Sequence, residues 1–193
     1  MELISRVDPL SLVGTPREIA DSGISQYGKV LHTWQAIMHK PEMFATYLPF
    51  LRQVAGPGQL DAVTKDLTAL YVGYLNNCQY TVSHRAQSAQ NKGVSEETMR
   101  NVVSGNWADF DFSLQLALEL SKVLSLEPTT LSFEDKPQIA SQELLSEMKM
   151  HFSEEELLEL TMSISMWNAL ARFHRVMGFE LDMPIAPEGV NPL

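Results

Sequence analysis

Apolar residues along this chain recur at three- and four-residue intervals, and the alternating runs of half-buried strands are nearly absent. After a lead-in punctuated by proline and glycine, Val30, Leu31, Trp34, Ile37 and Met38 fall on one helical face. The stretch HKPEM breaks that helix. Pro41 suits the first turn of the next, where a missing N–H leaves no bond unmade, and Phe44, Leu48 and Leu51 form its face. AGPG at 55–58 is a firm stop, followed by a long apolar helix over 60–75. Asn76 and Asn77 mark a break or a cap, because their side chains compete for backbone groups. A new helix is expected from Cys78 to near Gly93, with the glycine just past its end. Ser95 caps a short helix through Val103, and another spans 112–124. SLEPTTLSFEDKPQ, with two prolines and mixed charge, reads as a loop, and helix resumes near Ser141. Ser153 and Glu156 make a capping box that opens the last helix. There Glu154, Glu155 and Glu156 place negative charge at the positive end of the helix dipole. Beyond Gly178 the chain is proline-rich and extended. With no internal repeat, low-complexity segment or domain linker, the pattern predicts one all-α domain over residues 1–193.

Composition narrows the partners. An apolar share of 45% supports a sizeable core, in which the ten methionines and the aromatic residues at helical spacing are expected. A formal net charge of -10 and a pI of about 4.9 argue against nucleic acid or an anionic membrane as the main partner. The single cysteine excludes an intrachain disulfide framework. MELISRVDPLSLVG has neither a basic n-region nor a continuous apolar h-region, so no secretory signal is read. No stretch approaches the roughly 18 apolar residues of a membrane span. A soluble, cytoplasmic protein is the expectation.

The chemistry gathers around that one cysteine, in NNCQYTVSHR at 76–85. At a helix start, the sulfur of Cys78 lies near unpaired N–H groups and the positive end of the dipole. At about 100° per residue, Thr81 and Arg85 share a stripe with Cys78, and His84 lies to one side. Asp66 is on the preceding helix. If the two helices fold back on each other, Asp66, Cys78, Thr81 and Arg85 meet in one small site with His84 at its edge. Arg85 is expected to reach the space that Cys78 borders, with Asp66 as its internal partner. The remaining histidines, His32, His39, His151 and His174, have no metal-site spacing, so neither a structural zinc nor another metal or cofactor is expected.

DLTALYVGYLNNCQYTVSHRAQSAQNKGVSEETMRNV, residues 66–102, resembles the core of the carboxymuconolactone decarboxylase and alkylhydroperoxidase D-like family. That pattern runs from a glutamate through C-x-Y-C at a helix start to a histidine and a glycine-terminated helix end. HKPEMFATYLPFLRQVAGPGQLD is similar to the preceding family helices. The last helix, with Asn168 and Arg172 as N-x-x-x-R, is similar to the family's final one. Asp66 takes the glutamate position, Cys78 that of the first cysteine and Tyr80 that of the tyrosine. Thr81 replaces the second cysteine, and Arg85 takes the usual histidine position with His84 one residue early. The resemblance implies an alkylhydroperoxidase D-like helical fold and a homo-oligomer (dimer, trimer or hexamer), with the site near a subunit or helix–helix interface.

A hydroxyl at 81 cannot form the family's disulfide, so its dithiol peroxide cycle is not expected here. Three readings follow. The first is decarboxylase- or lyase-type acid–base chemistry on a small acidic metabolite. Arg85 clamps its carboxylate, Tyr80 helps to bind it, and His84 or Asp66 carries the proton. The second is a one-cysteine antioxidant enzyme whose sulfenic acid an external thiol resolves. The third is a non-catalytic member kept for binding or assembly.

Overall fold

The computed structural model describes residues 2–126 and 140–192, which are helical with no strand. Among the described residues, nine α-helices follow a 3-10 turn at Pro9–Ser11: α1 Thr15–Tyr27, α2 His32–Ile37, α3 Pro41–Ala55, α4 Ala62–Leu75, α5 Gln79–Asn91, α6 Glu96–Ser104, α7 Phe112–Leu126, α8 Gln142–His151 and α9 Glu154–Met177. Short polar side chains start α4, α6, α8 and α9, at Ser95, Ser141 and Ser153 as the sequence predicts. The N-terminal N–H groups lack intrahelical partners, and Ser95, Ser141 and Asp61 accept from them at 3.0, 3.2 and 2.7 Å. The Ser153–Glu156 capping box closes in both directions. Of the expected loop SLEPTTLSFEDKPQ, the first two residues end α7, and residues 127–138 lie outside the described ones.

Helix α1 corrects the reading of residues 15–27 as a lead-in. Pro16 sits in its first turn, Arg17 and Asp21 pair one turn apart at 2.9 Å, and Ala20 is buried. Gly23 reads locally as a breaker, but its bare Cα is a packing contact. A Cβ there would stand 2.4 Å from the Trp34 ring. The methionines also divide: Met38, Met99 and Met148 are buried, whereas Met43, Met150 and Met162 are exposed.

Helix α4 is the hub, buried at every residue from Lys65 to Gly73. One apolar core joins Ala69 and Val72 to α7, α8 and α9 through Leu116, Leu120, Met148, Leu160 and Ile164. A second joins Leu67 and Leu70 to Val82 of α5, Met99 and Val102 of α6, and Val190 of the tail. A third holds α1, α2 and α3 together around Trp34, Met38, Phe44 and Leu48. Burying α4 on all sides also buries its charges. Lys65 pairs with Glu159 at 2.6 Å, whose carboxylate also takes the N–H groups of Gln59 and Leu60. Asp66 is the other buried charge and points at α5. Among the described residues, no helix is long and apolar enough to cross a membrane.

Candidate functional site

The turn between α4 and α5 sets the geometry. Asn77 takes a left-handed φ of 53°, which asparagine tolerates better than most residues. The chain then reverses, and the Cys78 N–H donates to the Gly73 carbonyl at 2.9 Å. A Cβ on Gly73 would lie 2.8 Å from Thr81 Cγ2, so its absence lets α5 press its first turn against α4. Cys78 is the N-cap of α5, one residue outside the helix, and its sulfur accepts from the Thr81 N–H at 3.5 Å.

From that sulfur a chain of uncharged polar groups runs inward. Cys78 Sγ and Thr81 Oγ1 are 3.3 Å apart, Thr81 Oγ1 and His174 Nδ1 3.0 Å, and His174 Nε2 and Thr33 Oγ1 3.0 Å. Burial pushes His174 down to about 3, so it is neutral at physiological pH. A pocket of about 380 Å³ opens on this end of α5, lined in part by Cys78, Tyr80, His174, Arg175 and Phe179.

The later turns of α5 face a larger cleft of about 760 Å³, walled by α3, α4, α5 and α9 with Met183 of the tail. The buried Asp66 carboxylate accepts from Arg85 Nη1 at 3.2 Å, Ser88 Oγ at 2.8 Å and Lys92 Nζ at 2.5 Å. The Arg85 guanidinium lies 4.5 Å above the Trp167 ring, a cation–π arrangement. Its Nε is buried without a hydrogen-bond partner, as is Nε of Arg52, whose Nη1 donates to Ser22. The lining carries three cationic residues, Arg52, Arg85 and Lys92, and one carboxylate, Asp66. On a chain of net charge -10, this cleft is locally cationic.

His84 lines the same cleft, and its Nε2 bonds Asp182 Oδ1 at 2.5 Å. Asp182, in the tail after α9, also accepts on Oδ2 from the Tyr80 hydroxyl and the His32 N–H, each at 2.7 Å. Burial works to raise the Asp182 carboxyl, but its donors, His84 foremost, hold it well below the usual carboxylate range. Burial pushes His84 down, with Arg85 adding to the effect and Asp182 opposing it. Burial and the Asp182 charge push the Tyr80 hydroxyl far up, so it stays protonated.

The structure therefore divides the predicted constellation. Asp66, Arg85 and His84 share the large cleft, whereas Cys78 and Tyr80 line the small pocket with Thr81 behind them. Arg85 does not reach the space that Cys78 borders. Two turns of α5 raise it about 10 Å along the axis, and its partners are Asp66 and Trp167. Sequence reasoning missed Asp182, Arg52, Lys92, Thr33 and the part taken by His174. Asp182 lies 98 residues from His84, and Thr33 lies 141 from His174, so no spacing signal joins them. Lys92 was within reach of the pattern, since it continues the Cys78–Thr81–Arg85 stripe. Among the described residues no group of His, Cys, Asp and Glu is arranged to hold a metal ion.

The carboxymuconolactone decarboxylase family model matches residues 41–112, which span α3 to the start of α7. No curated protein matches the chain. Several solved structures share its fold. The alkylhydroperoxidase AhpD core, an uncharacterized peroxidase-related protein from Ralstonia eutropha JMP134, aligns with a TM-score of 0.74 at 14% identity, over 99% of this chain and 95% of its own. The debrominase Bmp8 aligns at 0.75 and 15% identity, over 93% and 92%. An uncharacterized peroxidase-related protein from Silicibacter sp. TM1040 aligns at 0.69 and 14%, over 91% and 87%. The family likeness is thus confined to residues 41–112, and the likeness to the solved structures is one of helical fold over nearly the whole chain.

Proposed function

We propose that the protein binds a small organic acid in the cleft of Arg85 and His84 and moves a proton on it, as a decarboxylase- or lyase-type step requires. The carrying observation is that Arg85 spends one hydrogen bond on Asp66 and keeps a buried Nε unpartnered on a cationic wall. Buried donors without partners in a native fold point to a missing water or ligand, and a carboxylate matches the guanidinium fork. Asp66 is a poor proton carrier here, because its carboxylate is engaged by three donors, two of them cationic. His84 is the better one. Its Nδ1 has no hydrogen-bond partner among the described residues, and burial keeps the ring from being charged permanently. In the reaction, Arg85 holds the carboxylate while Nδ1 of His84 takes a proton from the adjacent atom or returns one. Debrominase Bmp8 carrying a cysteine-to-alanine change was captured with 2,3,4-tribromopyrrole, so a relative of this fold holds a small planar molecule.

The test is a thermal-shift screen with small organic acids on the natural chain and on Arg85→Leu. A matching acid at about 100 times its dissociation constant adds roughly 2.7 kcal/mol of stability to the natural chain. Loss of a charge-assisted bond of about 1.5–3 kcal/mol removes most of that response in the variant. Equal responses from both proteins, or none from either, sink the proposal.

A second reading rests on Cys78 lining a pocket of its own. A hydroperoxide there would give one oxygen to the sulfur, its O–O bond breaking and an alcohol leaving; one external thiol would condense with the sulfenic acid to a mixed disulfide with loss of water, and a second would free the Cys78 thiol, the two external thiols leaving as a disulfide. The proton path through Thr81 ends on His174, and an acceptor titrating near 3 holds a thiol's proton poorly. That mismatch is why we prefer the cleft. Peroxide consumption by the natural chain with an external thiol, abolished in Cys78→Ser, would reverse the preference.

A further inference from the structure

We infer that Asp182 is the positioning residue of the cleft: it fixes the tautomer of His84 so that Nδ1 is left as the proton acceptor. The inference deepens the acid–base reading and rests on it.

The argument is one of donors and acceptors. The His32 backbone N–H can only donate, and it donates to Asp182 Oδ2 at 2.7 Å. The Tyr80 oxygen already accepts from the Thr33 N–H at 3.3 Å, so its own hydrogen points to Oδ2 at 2.7 Å. Two donors on that oxygen help to hold the carboxyl well below the usual carboxylate range, so the group is an ionised carboxylate. Its other oxygen must then accept as well, and the atom facing it at 2.5 Å is His84 Nε2. Nε2 therefore carries the hydrogen. A neutral imidazole has only one N–H, so Nδ1 is bare, and it is the ring nitrogen with no partner among the described residues.

The ring plane is fixed by a different contact. The Tyr80 and His84 rings lie 4.4 Å apart, tilted by 31°. Asp182 is itself anchored, because Lys29 Nζ donates to its backbone carbonyl while the His32 N–H holds its side chain. The tail thus reaches back to the start of α2 and delivers a carboxylate to one nitrogen of one histidine. A contact serving stability alone would need only some partner for Nε2 and would be indifferent to which nitrogen carries the proton. The orientation and the tautomer together are what a proton carrier requires.

The experiment needs no ligand, so it stands or falls separately from the organic-acid screen. Protein labelled with ¹⁵N-histidine is observed near pH 7 by long-range ¹H–¹⁵N correlation, with the His84 signals assigned by their loss in His84→Gln. In the natural chain, Nε2 should resonate as the protonated nitrogen and Nδ1 as the unprotonated one. Asp182→Asn presents an amide that can turn its own N–H toward Nε2, so the Nδ1 signal should move toward the protonated position. A natural chain with Nδ1 protonated overturns the inference, whether or not the variant folds. A folded Asp182→Asn protein that keeps the natural pattern overturns it too.

Discussion

One helix serves two sites that differ in kind. The first turn of α5 gives Cys78 and Thr81 to a chain of neutral partners, in which hydroxyls and an uncharged imidazole satisfy one another. The turns that follow give Arg85, Ser88 and Lys92 to a charged cluster closed around a single carboxylate. The neutral chain is complete within itself, since each nitrogen of His174 has a hydroxyl partner. The charged cluster is not, because two cations meet Asp66 and Arg85 Nε is left over. Unfilled capacity distinguishes a place where something binds from a place that is merely packed.

The largest expected effect tests the charged end. Asp66→Ala leaves the mostly buried Arg85 and the exposed Lys92 facing each other without their buried carboxylate. Removing one partner of such a cluster costs about 3–5 kcal/mol, to be read from the urea midpoint. A cost below about 1 kcal/mol would show that solvent already screens the cluster, and the contrast between the two ends would collapse.

Acid probes the neutral end. His174 is held near 3 when folded and titrates near 6.5 when unfolded, so the unfolded chain takes the proton first. Its contribution is full above about pH 6.5 and is lost as the pH falls toward 3. At about 1.4 kcal/mol per unit, some 2.7 kcal/mol should disappear between pH 6.5 and 4.5. His84, also lowered, acts in the same direction. His174→Gln should flatten that slope; an unchanged slope would assign it to other groups.

The smallest effect separates the ends most cleanly. Gly73→Ala puts a methyl 2.8 Å from Thr81 Cγ2. Overpacking of about 1–3 kcal/mol is offset by roughly 1 kcal/mol of helix propensity, for a net loss of about 1 kcal/mol in thermal or urea unfolding. The strain falls on the Thr81–His174 contact, so stabilisation by an organic acid in the cleft should survive. If it vanishes as well, the two sites are mechanically one.

Much of this molecule was legible in one dimension. The starts of α6, α8 and α9 follow from Ser95, Ser141 and Ser153, because capping joins neighbours three residues apart, and Asn76–Asn77 mark the break before α5. The Asp66–Arg85 pairing followed from two consecutive helices folding back on each other. Helix α1 did not, because the glycine that reads as a breaker is explained only by the Trp34 ring packed on it. The expected union of Cys78 with Arg85 failed for a reason of length: a shared stripe fixes direction around a helix but not position along it.

What the sequence determined by itself is therefore local and periodic. It set the all-α class, most helix starts, Cys78 as the residue opening α5, and the family resemblance through the Asp66–Val102 stretch. Tertiary structure decided which of those side chains share a space, and it supplied Asp182, His174, Thr33 and Arg52. Hydrogen bonds and ion pairs act over a few ångströms of space whatever the separation along the chain. A carboxylate 98 residues away can hold His84, while Arg85, seven residues from Cys78, works in a different cleft.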